Sequence, residues 1–230
     1  MRIQGLQKLT LLDYPEHVAC TVFTAGCNFR CPFCHNASLV VDIPEESEIT
    51  EDDFFDFLKK RVGVLDGVCV SGGEPLLQPD IESFLRKIKE LGYAVKLDTN
   101  GSFPEKLKQL VEKGLVDYVA MDIKNSFEDY GKTSGVDNMD ISNIKRSIEI
   151  LKSSNVCHEF RTTVVRELHD FNKIKSIISY IGVDAKYYLQ NYRDCETVLV
   201  KGFHGFEKEE LLKIKDKLNN DYPNVSIRGI

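Results

Sequence analysis

The stretch His17-Val18-Ala19-Cys20-Thr21-Val22-Phe23-Thr24 runs through Ala25 into Gly26-Cys27-Asn28-Phe29-Arg30-Cys31-Pro32-Phe33-Cys34-His35-Asn36. Its first eight residues read as a strand of the apolar kind found where both faces of a sheet are covered. Gly26 permits a sharp departure from that strand, and Pro32 disfavours an uninterrupted helix, so residues 26–36 read as a loop at the strand's C-terminal end. In a parallel α/β fold that is where ligand loops are built.

Downstream, strand-like runs at 68–71, 94–98, 116–122, 159–165 and 186–190 alternate with segments of helical period. Ile81, Phe84, Leu85, Ile88 and Leu91 follow the i, i+3, i+4 pattern; so do Ile141, Ile144, Ile148 and Leu151, then Ile174, Ile177, Ile178 and Ile181, then Leu211, Ile214 and Leu218. Thr50 followed by Asp53 resembles a capping box opening a helix at Glu51, and Gly92 and Gly114 fall where two helices should stop. Six strands alternating with helices predict parallel strands with right-handed crossovers, an α/β fold closing into an incomplete (β/α)6 barrel. Residues 1–15 and 224–230 are placed to add peripheral strands. The chain shows no linker, repeat or low-complexity block, so residues 1–230 are expected to form one domain around a core of 17–190.

Composition narrows the function class. The 230 residues carry 30 basic and 36 acidic side chains, a net charge of −6 and a pI near 5.5, which argues against a nucleic-acid-gripping protein. With 42% hydrophobic and 29% charged residues the chain can bury a sizeable core. No apolar run is long enough to span a membrane, and the N-terminus lacks the pattern of a signal peptide, so a cytoplasmic protein is expected. The acidic run 45–53 reads as a solvated loop and helix start.

Seven cysteines, three of them within eight residues, do not look like a disulfide framework. Cys20, Cys69 and Cys157 sit in apolar runs and read as small buried hydrophobes, whereas Cys195, among Arg193, Asp194 and Glu196, reads as exposed. Cys27, Cys31 and Cys34 can wrap one inorganic centre. Structural zinc normally takes four protein ligands, and no second C-x2-C pair exists; His35 is a conceivable fourth ligand, awkwardly adjacent to Cys34. Three thiolates on a [4Fe-4S] cluster would instead leave one iron open to a small molecule.

The C-x3-C-x2-C spacing, with Phe33 before its last cysteine, resembles the radical S-adenosylmethionine (SAM) superfamily. Ser71-Gly72-Gly73-Glu74-Pro75, ending the second strand-like run, is similar to that family's GGEP motif. Cys34-His35-Asn36 and Leu97-Asp98-Thr99-Asn100-Gly101 resemble the activating enzymes of glycyl radical enzymes. Three further segments are similar to a short subgroup, the anaerobic ribonucleoside-triphosphate reductase activating proteins: Leu11-Leu12-Asp13-Tyr14-Pro15, the run from Val22 to Cys31, and Arg161-Thr162-Thr163-Val164-Val165. The resemblance covers about residues 1–190. Some relatives insert a cysteine-rich ferredoxin-like segment after the first motif; residues 37–54 hold no cysteine, so no second cluster is expected.

The resemblance implies a metal site at Cys27, Cys31 and Cys34, with SAM chelating the open iron of a [4Fe-4S] cluster. Reductive cleavage would give methionine and a 5′-deoxyadenosyl radical, which would take a Cα hydrogen from a glycine of a partner enzyme. Anaerobic ribonucleoside-triphosphate reductase is the implied partner, with a low-potential electron donor such as flavodoxin or ferredoxin. It also implies SAM contacts at Gly72, Gly73, Glu74, Asp98, Thr99, Lys124 and Arg161, with Phe33 beside the adenine. Asp98, Thr99 and Asp122 are the implied ligands of a monovalent cation; strand-end ion pairs among Asp98, Asp122 and Lys124 are the alternative. Some activating enzymes carry a histidine near the end of the sixth strand that helps hold SAM. Here the run is Tyr188-Leu189-Gln190-Asn191-Tyr192, and Gln190 or Tyr192 would have to substitute. His158, His169 and His204 sit in no motif and read as ordinary histidines. Two other readings stay open: a radical SAM enzyme acting on another glycyl radical enzyme or on a small molecule, and a non-catalytic cysteine-metal module.

Overall fold

A computed structural model describes all residues except 42, 44, 47 and 48; Ser47 and Glu48 of the acidic run therefore lie outside the described residues. Among the described residues eight strands form one sheet in chain order: β1 (Ile3–Thr10), β2 (Ala19–Thr24), β3 (Gly67–Gly72), β4 (Ala94–Thr99), β5 (Tyr118–Asp122), β6 (Cys157–Val164), β7 (Tyr187–Asn191) and β8 (Val225–Arg228). Strand β1 runs antiparallel to β2, and β2 to β8 are mutually parallel. The six expected strands are β2 to β7, and β1 and β8 are the peripheral additions at either end.

Among the described residues seven α-helices connect them: α1 (Glu51–Lys59), α2 (Ile81–Glu90), α3 (Pro104–Glu112), α4 (Tyr130–Ser134), α5 (Ser142–Ser153), α6 (Phe171–Ile181) and α7 (Lys208–Asn219). Thr50 caps α1 by accepting from the Asp53 N–H at 3.1 Å, and Gly92 and Gly114 follow the ends of α2 and α3 with positive φ. None of these helices is long and apolar enough to cross a membrane.

The sheet curls. His35, in the loop after β2, stacks on Tyr192, just past β7, with ring centroids 5.2 Å apart. Five strand spacings on a flat sheet would separate those positions by roughly 24 Å. Strands β1 and β8 do not pair, so the curl stops short of closure and gives the expected incomplete barrel.

The strands are less uniform than their sequences suggest. Their outer faces are apolar, with Val22, Val68, Val70, Val95, Leu97, Val119, Phe160 and Leu189 fully buried beneath the helices. The inner face instead carries Thr21, Cys69, Lys96, Asp98, Asp122, Glu159 and Arg161, following the period of two. The expectation of strands apolar on both faces is corrected here. Lys96 and Glu159 tolerate burial because each is paired: Lys96 with Asp98, and Glu159 with Arg228 at 2.6 Å and with the Tyr118 hydroxyl at 2.7 Å.

Candidate active site

The cysteine loop leaves β2 at the end of the barrel where the parallel strands terminate, and three neighbours fasten it. On the β3 side, the Gly73 N–H donates to Thr24 O at 2.9 Å and the Glu74 N–H to Gly26 O at 2.8 Å. A Cβ on Gly73 would fall 2.0 Å from Gly26 O, and one on Gly72, at φ +114°, only 2.3 Å from Thr24 N. These glycines are required by backbone approach between β3 and the loop. On the α4 side, the Arg30 N–H donates to Ser134 O at 2.8 Å. On the β7 side, the Leu199 N–H donates to Cys34 O at 3.2 Å and the Val200 N–H to Pro32 O at 2.8 Å. His35 completes that side, its Nε2 lying 2.7 Å from Arg193 O.

Held this way, Cys27, Cys31 and Cys34 line one cavity of about 230 Å³. Burial pushes the Cys27 thiol up to about 11 and the Cys31 thiol up to about 12, with Lys124 opposing the rise at both. Without a positive centre both thiols keep their protons at neutral pH, and a metal centre would displace them. Among the described residues no three His, Cys, Asp or Glu side chains converge tightly enough for one metal ion. Three soft donors spread round a shared cavity suit a polynuclear iron–sulfur centre better than mononuclear zinc.

The cavity floor is ionic. Arg161 bridges two strands, its Nε donating to Asp122 Oδ1 at 2.8 Å and its guanidinium reaching Asp98 Oδ2 at 3.3 Å. Lys124 Nζ donates to the other Asp122 oxygen at 3.0 Å, and Ser71 Oγ donates to Asp98 at 3.1 Å. Burial alone would raise the Asp122 carboxyl, but Arg161 and Lys124 outweigh it and hold it down to about 2. Asp98 is likewise lowered against burial, by Arg161 and Lys96.

The expected cation ligands have protein partners as well. Asp98, Thr99 and Asp122 all line the cavity, but both carboxylates are engaged by Lys96, Lys124 and Arg161, and the Thr99 hydroxyl donates to Glu74 Oε1 at 2.8 Å. The Lys124–Asp122 pair is one of the strand-end ion pairs named in the alternative reading.

Glu74 stands apart from the other expected SAM contacts. It is wholly buried and does not line the cavity. Its oxygens accept from the Leu76 N–H at 3.0 Å, the Thr99 hydroxyl and the Asn100 N–H at 2.7 Å, so it clamps the end of β3 to the end of β4. Burial pushes its carboxyl up to about 7 against those three donors.

The remaining expected residues gather as a group. Phe33 is buried on the cavity wall, edge-on to Tyr192 at 6.3 Å, and Gly72, Gly73, Lys124 and Arg161 line the same space. Of the two residues considered in place of the sixth-strand histidine, Gln190 lines the cavity beside Thr163 and Tyr192 does not. His169 is buried and satisfied, with ring nitrogens 2.8 Å from Lys124 O and 3.0 Å from the Val165 N–H. Cys157 corrects another expectation: opening β6 at the far end of the barrel, it is exposed, whereas Cys20 and Cys69 are buried and Cys195 is exposed as expected.

One contact lay hidden inside a motif already noticed. Asn100 Nδ2 reaches Cys27 Sγ at 3.8 Å and Asn28 Oδ1 at 3.0 Å, while its own Oδ1 accepts from Ser102. With the Phe29 N–H at 3.4 Å, the Cys27 sulfur faces two donors. Asn100 stood in the Asp98–Gly101 run, but its direction toward Cys27 depends on the turn after β4.

The chain is similar to several known proteins. Residues 21–181 match the profile of the Radical SAM superfamily. A Methanocaldococcus jannaschii protein, provisionally described as a glycyl-radical enzyme activating enzyme, is 34% identical, over 99% of this chain and 96% of its own length. The pyruvate formate-lyase-activating enzyme of Clostridium pasteurianum is 26% identical over 95% of this chain and 90% of its own. Among solved structures, Streptococcus suis SuiB bound to S-adenosylmethionine aligns with a TM-score of 0.67 at 16% identity. That alignment covers 89% of this chain and 48% of SuiB, so the fold is shared and the chain spans about half of SuiB.

Proposed function

Since this chain belongs to the radical SAM superfamily, among its glycyl-radical enzyme activating enzymes, we propose that it generates a glycyl radical on an anaerobic ribonucleoside-triphosphate reductase. Family membership implies a [4Fe-4S] cluster and SAM. The observation that carries the reading is the sharing of one cavity by three loop thiols and the ionic ends of β4, β5 and β6. When bound, the cluster and SAM together supply the reductive C–S cleavage and the hydrogen-abstracting radical.

This chain's residues do the rest. Cys27, Cys31 and Cys34 would ligate three irons and leave the fourth to SAM. Gly72 and Gly73 keep the end of β3 free of side chains beside that position, so backbone groups can meet the SAM ammonium. Lys124 and Arg161 present cationic groups to the SAM carboxylate while staying tied to Asp122. Phe33 offers an apolar wall to the adenine, and Gln190 and Thr163 add polar groups to the same cavity. A low-potential flavodoxin or ferredoxin would deliver the electron.

The choice of partner rests on the Leu11–Pro15, Val22–Cys31 and Arg161–Val165 segments. The 26% identity to a pyruvate formate-lyase-activating enzyme favours a second reading, in which a lyase of that kind is the partner. Anaerobic reconstitution with iron and sulfide, followed by dithionite and SAM, tests the shared chemistry: methionine and 5′-deoxyadenosine should form in equal amounts. A reconstituted chain that binds iron but leaves SAM intact would overturn it.

A further inference from the structure

Three side chains close a hydrogen-bonded ring beside the cysteine loop. Asn28 Nδ2 donates to Ser102 Oγ at 2.9 Å, Ser102 Oγ donates to Asn100 Oδ1 at 2.6 Å, and Asn100 Nδ2 donates to Asn28 Oδ1 at 3.0 Å. Asn28 follows Cys27 in the loop, whereas Asn100 and Ser102 lie in the turn after β4.

The ring fixes which way the Asn100 amide faces. Its Oδ1 accepts twice, from the Ser102 hydroxyl and from the Ser102 N–H at 2.9 Å, so its NH2 group points the other way. One of the two N–H bonds of that group goes to Asn28. The second is left over, and Cys27 Sγ lies 3.8 Å from the same nitrogen. The turn itself is pinned: Glu74 accepts from the Asn100 backbone N–H at 2.7 Å, and the Ser147 hydroxyl donates to Gly101 O at 2.7 Å. Asn100 is buried, where an unsatisfied N–H is costly. A protonated thiol is a weak acceptor for it, and a metal-bound thiolate is a good one.

We propose that Asn100 is a positioning residue acting through Cys27: its spare N–H donates to the Cys27 sulfur as a cluster-bound thiolate and raises the reduction potential of the cluster. The inference rests on the cluster assignment made above. Reduction adds negative charge to the ligand sulfurs, so a donor there stabilises the reduced state more than the oxidised one. Hydrogen bonds to the sulfurs are among the terms that set cluster potentials. The shift makes the cluster easier for a low-potential protein donor to reduce.

Three variants test this without reference to turnover. Asn100→Ala removes the amide. Asn100→Asp keeps the acceptor that Ser102 uses but loses the N–H. Ser102→Ala opens the ring while its own backbone N–H still orients Asn100. Each is reconstituted anaerobically beside wild type, and iron content and midpoint potential are measured, the latter by spectroelectrochemistry. Both Asn100 variants should hold wild-type iron at a midpoint more negative than wild type, with Asn100→Asp the lower. Ser102→Ala should keep the wild-type midpoint, which separates loss of the donor from loosening of the ring. Unchanged midpoints in the Asn100 variants overturn the inference, and so does an equal shift in Ser102→Ala. Failure of both Asn100 variants to take up iron also overturns it, since Asn100 would then build the site and not tune it. A wild-type chain that takes up no cluster overturns the assignment beneath it.

Discussion

The carbonyl oxygen of Gly26 and the α-carbon of Gly73 are in such close register that any side chain at 73 would collide with the start of the cysteine loop: a Cβ would lie 2.0 Å from that oxygen and 3.3 Å from Cys27 N. A glycine beside a ligand-binding strand end usually suggests room for the ligand. Here it also means that the loop and the end of β3 share a seam.

Gly73→Val should therefore lose iron as well as SAM binding, because the displaced segment carries Cys27. Iron assay and SAM equilibrium dialysis on the reconstituted variant check this. Retention of full iron with loss of SAM alone would show that the seam is more pliant than the geometry implies.

Single Cys27→Ala, Cys31→Ala and Cys34→Ala changes should each abolish SAM cleavage and diminish or remove the visible iron–sulfur absorbance. Cys157→Ser, at an exposed strand start, should change stability by less than about 0.5 kcal/mol, as ordinary surface substitutions do. Cys20→Ser and Cys69→Ser put a hydroxyl into the interior and should cost about 1–3 kcal/mol in denaturant unfolding. Equal behaviour of Cys157 and Cys69 variants would contradict the placement of β6.

Arg161→Met should destabilise the chain by about 3 kcal/mol, since it removes the cation shared by two inward carboxylates, Asp98 and Asp122, and leaves each with a single lysine. Adding Asp122→Asn should restore part of that loss. A variant that loses SAM affinity with unchanged unfolding would make Arg161 a ligand contact only.

Glu74 gives a pH signature. Its carboxyl is pushed up to about 7 in the folded chain from an ordinary value of 4.5, so between those values the folded chain holds a proton that the unfolded chain has released. Its contribution to stability is then fully present below about pH 4.5 and is lost as pH rises through 7, a change of about 3 kcal/mol. Denaturation of wild type and Glu74→Gln from pH 4 to 8 should show a falling slope in wild type that the variant lacks. Parallel slopes would contradict it.

Much of this was legible from residue order. The apolar outer faces of β2 to β7 announced the alternating strands, and the cysteine spacing announced the site. What stayed hidden depended on three-dimensional partners. Lys96 and Glu159 look out of place in buried strands until the curled sheet points them inward toward Asp98 and Arg228. Helix α4 spans five residues, too few to show a period, so Tyr130 carried no signal. The stretch after β7 covers the cysteine loop through main-chain bonds from Leu199 and Val200, which any non-proline residue could supply. The motif around Glu74 does not reveal the three donors, from Leu76, Thr99 and Asn100, that its carboxylate accepts.

Hydrogen abstraction from a reductase glycine leaves a radical that electron paramagnetic resonance reads out. The reconstituted chain is mixed anaerobically with SAM, a reductant and a candidate anaerobic ribonucleoside-triphosphate reductase. A stable glycyl-radical doublet should grow in step with 5′-deoxyadenosine and vanish when the reductase's radical glycine is changed to alanine. Cleavage of SAM with no doublet on the reductase, and a doublet only on a pyruvate formate-lyase-type enzyme, would contradict it.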